Sequence, residues 1–136
     1  LRFLRRWPVL QSRAGRVDGT LEHVLDTHGK TMFRPRFASD IAEVGPAGCF
    51  DDDVNGICAS KAVIANLMDE DSGTMFEIGF AHSLGIPVYA YREGLRDGDS
   101  INLMIAQSVR AVFSSSDDLA RYLETGEHKD ADYAQF

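Results

Sequence analysis

The chain has 136 residues, 44% of them hydrophobic and 26% charged, the length and balance of one ordinary globular domain with a sizeable core. No apolar run approaches the roughly 18 residues that span a bilayer, and two cysteines, Cys49 and Cys58, are too few for a disulfide framework. The net charge is −7, and the five arginines Arg2, Arg5, Arg6, Arg13 and Arg16 all precede the first acid, so the remainder is strongly acidic and repels a phosphate backbone. No nucleic acid and no membrane are therefore expected as partners, and a reduced, cytoplasmic protein is.

Short apolar runs of β type alternate with helical patterns, which predicts an α/β fold. The basic start, LRFLRRWPVL, lacks an apolar core and a small-residue cleavage site, so it is read as carrying a first strand within residues 2–10 rather than a signal peptide. Thr20 is expected to cap a helix through Leu21, Val24 and Leu25 that stops at Gly29. Thr31–Phe33 reads as a second strand closed by Pro35; residues 37–44 give no clear pattern, and Gly45, Pro46 and Gly48 mark a turn. Phe50, Val54, Ile57 and Cys58 then fall on one helical stripe, and Ala62–Ala65 is a short buried strand.

A helix over Met75–Leu84 ends at Gly85 and leads into the strand Ile86–Tyr91. Ile101–Gln107 suits a further short helix, Val109–Phe113 a last strand, and Ser116 the cap of a helix reaching about Glu124. The expected architecture is a single-domain, doubly wound, five-stranded parallel sheet with flanking helices, of Rossmann or flavodoxin-like type. Ligands of such sheets bind at the carboxyl ends of the strands, so the loops there carry the chemistry.

The strand at Ala62 runs into the acids Asp69, Glu70 and Asp71, turns through Gly73, and enters a helix bearing Glu77. Thr74-x-x-Glu77 fits a capping box, which would tie that carboxylate to its own backbone. A second group, Asp51, Asp52 and Asp53, opens the preceding helix, and it reads equally as a solvated first turn favoured by the helix dipole. Carboxylates converging on a sheet crevice suit glycosidic bond cleavage, in which one stabilises or attacks the anomeric carbon and another handles the proton of the leaving group. The loop lacks calcium-ligand spacing, and no zinc pattern is present, so no metal is expected. There is no phosphate-binding glycine loop, no dinucleotide fingerprint and no nucleophile elbow, so no cofactor is expected either. The histidines His23, His28, His82 and His128 are scattered.

The segment DSGTMFEIGFA (Asp71–Ala81) resembles the signature of the nucleoside 2-deoxyribosyltransferases. DVNGI (Asp53–Ile57) and INLM (Ile101–Met104) resemble two further motifs of that family, in the same order. The resemblance implies transfer of 2-deoxyribose between nucleobases, with Glu77 as the nucleophile that forms a covalent deoxyribosyl intermediate. It implies that Asp71 contacts the base and moves its proton, with Gly73 also binding substrate, and that Asp53 is a further catalytic acid lining the base and sugar site. Asn102 would be donated by a neighbouring subunit to the 5′-hydroxyl of the substrate, with Met104 binding close by, which makes the protein a homo-oligomer with shared active sites. Deoxyribonucleosides and free nucleobases are the implied partners, in nucleotide salvage. The aromatic end, Tyr133 and Phe136, resembles a tail that closes over the pocket.

One stretch departs from the family pattern. FLRRWPVL places Arg6 and Trp7 where small residues are expected and Leu4 near the position of a tyrosine that orients the nucleophile. Two other functions therefore stand beside transfer: an N-glycosidase that passes the sugar to water, and a nucleoside-binding protein without catalysis.

Overall fold

A computed structural model describes residues 9–11, 17–30, 32–33 and 40–136, with side chains at 20–30, 40–68 and 70–136. The strands are β1 (Val9–Gln11), β2 (Met32–Phe33), β3 (Ala62–Asn66), β4 (Val88–Tyr91), β5 (Ser100–Ile101), β6 (Val112–Phe113) and β7 (Ala134–Gln135). The helices are α1 (Val17–Thr27), α2 (Ile41–Ala59), α3 (Ser72–Ser83), α4 (Leu103–Ser108) and α5 (Ser116–Thr125), with a 3-10 turn at Met68–Glu70. Five strands pair in parallel in the order β2-β1-β3-β4-β6, and β5 pairs with β7 in a separate parallel ribbon. That ribbon has no counterpart in the sequence reading, because two-residue strands carry no measurable alternation.

Central strands of a parallel sheet are covered on both faces and so are apolar throughout, which is why AVIA and VYAY look like continuous runs. Alternate residues feed two cores. Ala62, Ile64, Tyr89, Tyr91 and Phe113 pack with Leu21 and Leu25 of α1 and Leu119 and Leu123 of α5. Val63, Ala65, Val88, Ala90 and Val112 pack with Ile57 of α2, Ile78 and Ala81 of α3, and Ala106 of α4. Helices thus flank both faces. The chain reverses its direction of travel across the sheet between β1 and β3, the place where such folds open a crevice.

Element boundaries moved in several places. α1 begins at Val17, three residues before the expected Thr20 cap. Residues 41–44, unassigned from sequence, form a first helical turn capped by Asp40, whose Oδ1 accepts the Ala42 N–H at 2.9 Å. Gly45 then breaks the helix at φ 73°, and Pro46 restarts it, since proline needs no amide donor in a first turn. The stripe on α2 buries less than its spacing promised. Ile57 is buried and Val54 half-buried, whereas Phe50 and Cys58 are exposed. Phe50 meets Phe76 of α3 at 5.9 Å between ring centroids, and Phe76 stacks on Phe80 at 5.8 Å, so that face packs aromatic side chains along the helix surface.

Candidate active site

The strand β3 ends at Asn66, which is fully buried and whose Oδ1 accepts the Met68 N–H at 2.9 Å. This side-chain bond turns the backbone into the 3-10 segment, where Glu70 adopts φ 47°, the only non-glycine positive φ among the described residues. A left-handed non-glycine residue costs roughly 1–2 kcal/mol, and such strain concentrates at sites of function. Next comes Asp71, the N-cap of α3. Its Oδ2 accepts the Thr74 N–H at 2.9 Å and the Thr74 hydroxyl at 3.0 Å.

This cap overturns the capping box read from Thr74-x-x-Glu77. Thr74 lies inside the helix, buried, and its amide is already held by Asp71. Glu77 therefore stands in the second turn of α3, half-buried, with its Oε2 shut away from solvent. On the neighbouring helix α2, Asp53 is likewise half-buried with Oδ1 shut away; both side chains hold interactions with their surroundings. Gly73 has a steric reason to be small, because a Cβ there would stand 3.2 Å from Asp71 Oδ2. At Gly79, by contrast, nothing among the described residues outside the helix's own backbone lies within 4 Å of a notional Cβ.

A cavity of about 400 Å³ opens beside this loop at the carboxyl end of the sheet. Its lining includes Leu67, Glu70, Met75, Ile101, Asn102 and Phe136. Of the residues singled out from sequence, the cavity wall holds Glu70, Asn102 and Phe136. Asp53, Asp71, Glu77 and Met104 are not among its described lining. Asn102 is the exposed N-cap of α4, its Oδ1 accepting the Met104 N–H at 2.9 Å, and Met104 is 69% exposed. Glu70 was one acid among three in the sequence; its cavity position comes from the turn that Asn66 sets, which spacing alone does not reveal. Tyr133 packs half-buried on the core, and burial, followed by the Asp130 charge, pushes its hydroxyl above the ordinary tyrosine range.

Residues 1–8, with Arg5, Arg6, Trp7 and Pro8, and the segment 12–16 after β1 lie outside the described residues, as does the side chain of Asp69. Among the described residues no group of three or more His, Cys, Asp or Glu could hold a metal ion, and no helix is long and apolar enough to cross a membrane.

The profile of the nucleoside 2-deoxyribosyltransferases matches residues 19–107. The chain belongs to the nucleoside 2-deoxyribosyltransferase family. It is similar in structure to a 2-deoxyribosyltransferase of Bacillus psychrosaccharolyticus, with 26% identity and a TM-score of 0.67, over 85% of this chain and 91% of that one. A conserved protein of Enterococcus faecalis shares the fold at a TM-score of 0.72 and 18% identity, covering 88% of this chain and 98% of that one. So does a CMP N-glycosidase of Clostridium botulinum, at 0.60 and 16%, covering 86% and 98%. No curated protein matches the chain. Membership places this protein among enzymes of nucleoside-related glycosyl transfer and cleavage.

Proposed function

We propose that the chain transfers 2-deoxyribose between nucleobases, with Glu77 as nucleophile, residues 1–136 acting as one doubly wound domain. The observation that carries this reading is that Asp71, and not Glu77, holds the Thr74 amide. Asp71 closes the helix terminus, which leaves the Glu77 carboxylate on the second turn of α3, partly withdrawn from water, next to the carboxyl end of the central strand β3. A Glu77 oxygen attacks C1′ of the deoxyribose, the C1′–N bond breaks, and the base leaves with a proton supplied by Asp71. The incoming base then attacks C1′, returns its proton to Asp71, and releases Glu77, so the configuration is retained.

Asp53 lines the same site from α2. Asn102, Met104 and Gly73 bind substrate, the first two from a neighbouring subunit, so that the protein is a homo-oligomer. The exposure of Leu103 and Met104 on α4 and of Phe136 at the cavity supports that last assignment, since large apolar side chains at a surface suit a covered position.

The test is incubation with a 2′-deoxynucleoside and a different free base, followed by separation of both bases, both nucleosides and the sugar. Transfer yields the second deoxynucleoside, and Glu77→Ala removes it. Free deoxyribose without a new nucleoside identifies an N-glycosidase, and binding without turnover a nucleoside-binding protein. Mixing inactive Glu77→Ala with inactive Asn102→Ala chains restores partial activity when sites are shared between subunits; failure of that mixture overturns the shared site while leaving the chemistry intact.

A further inference from the structure

At the far side of the sheet from α3, an imidazole is held between two carboxylates. His128 is 6% exposed; its Nδ1 lies 3.0 Å from Asp118 Oδ1 and its Nε2 2.6 Å from Asp130 Oδ1. The ring also meets Phe113 of β6 edge-on at 4.7 Å. Each carboxylate has a second duty. Asp118 Oδ2 accepts the Ser114 N–H at 3.1 Å at the start of α5, and Asp130 Oδ1 accepts the Val112 N–H at 2.8 Å on strand β6. The cluster therefore ties the segment after α5 both to that helix and to the sheet.

That segment leads directly to the cavity. Beyond Asp130 the Asp132 N–H bonds to Asp97 Oδ1 (2.8 Å) and the Ala134 N–H to the Asp99 carbonyl (2.7 Å), and the strand β7 pairs with β5. Phe136 N–H reaches the Ile101 carbonyl at 3.3 Å, the Phe136 carbonyl accepts the Leu103 N–H at 2.8 Å, and the Phe136 side chain lines the cavity.

A neutral imidazole has one N–H donor, and its other nitrogen is a lone pair. With a carboxylate oxygen on each side, only the imidazolium satisfies both contacts; in the neutral ring one nitrogen lone pair faces an anionic oxygen. The surrounding charges complete the balance. Arg121 of α5 pairs with Asp118 Oδ1 at 3.1 Å, and Arg110, Tyr89 and Tyr122 border one side of His128. On the other side of the carboxylates lie Asp97, Asp117 and Lys129.

We propose that Asp118, His128 and Asp130 form an anchor, complete only while the imidazole carries both protons, that positions strand β7 and Phe136 against the cavity. His128 is a positioning residue: it touches no substrate and acts through the eight residues of tail from Lys129 to Phe136. Histidine ordinarily changes charge between about pH 5 and 8, so the cavity wall becomes looser as pH rises through that titration. The effect on substrate rests on the function proposed above; the anchor itself does not.

Amide hydrogen exchange of the full chain across this pH range, corrected for intrinsic exchange, tests the anchor without any substrate. Protection at Ala134, Phe136 and Leu103 is expected to fall about tenfold or more as His128 deprotonates, the scale of one charge-assisted hydrogen bond, while protection at Ala90 in the core holds steady. His128→Gln, which can offer only one donating end to the two carboxylates, should give the low protection at every pH. Tail protection that follows Ala90 throughout, or an unchanged pH profile in His128→Gln, overturns the anchor; the wild-type profile decides even when the variant does not fold. In turnover assays the same pH rise should increase KM more than it lowers kcat. A pH-independent KM alongside the exchange effect removes the link to substrate, and absence of turnover removes only the proposed function.

Discussion

The N-termini of α3 and α5 carry the same sequence device, a Ser or Thr followed three residues later by an acid, and use it differently. At α5 the device closes locally. Ser115 Oγ accepts the Asp118 N–H at 3.0 Å, and the Asp118 carboxylate returns to the Ser114 N–H. At α3 the cap lies three residues before Thr74, at Asp71, and Glu77 is carried one turn further along. A capping box is a statement about where the helix starts, and a displacement of three residues moves the cap from Thr74 to Asp71 and leaves Glu77 outside it.

The largest expected effect separates the two acids by kind. Glu77→Gln should lower turnover at least about a thousandfold, as removal of a nucleophile does, while leaving the denaturation midpoint within about 1 kcal/mol of wild type. A large loss of stability would place Glu77 with Asp118 as a structural acid. Asp118→Ala should destabilise the fold by about 2 kcal/mol or more, read by urea denaturation, because it removes a cap bond and the partner of His128 together.

Asp71→Ala should cost about 1 kcal/mol, the usual value of one N-cap, and Asp71→Ser should restore that stability without restoring turnover. Recovery of turnover by serine would show that Asp71 acts through the cap alone. The smallest effect is alkaline. Burial raises the Tyr91 hydroxyl, helped by its bond to Glu93 and by the charges of Asp118 and Asp117. A raised value means that the native state holds its proton longer than the unfolded chain. The contribution is complete below the ordinary tyrosine value near 10 and is lost as pH rises above it. Denaturation midpoints at successive alkaline pH values should therefore fall less steeply in Tyr91→Phe than in wild type.

Much of this architecture is legible in the sequence, for physical reasons that differ along the chain. The buried strands at Ala62 and Val88 announce themselves because both faces must be apolar, and Gly29 and Gly85 end helices at positive φ as their sequence positions suggest. The stops are local chemistry. What sequence does not carry is the placement set by tertiary contacts. Phe50 and Cys58 have helical spacing but sit at the outer edge of α2, and the β5–β7 ribbon exists through pairing across more than thirty residues. The site divides in the same way: the motifs locate Asp53, Asp71, Glu77 and Asn102 on the chain, whereas the cavity-lining role of Glu70 depends on the buried side chain of Asn66.

The bond from Asp130 to the Val112 amide has a further consequence, for colloidal behaviour. β6 is an outer strand of the sheet, only two residues long, and its outward N–H is a ready template for a strand from another molecule. With that donor occupied by a side chain from its own tail, the protein closes one margin of its sheet without proline or lysine, and loss of the tail would expose an adhesive edge.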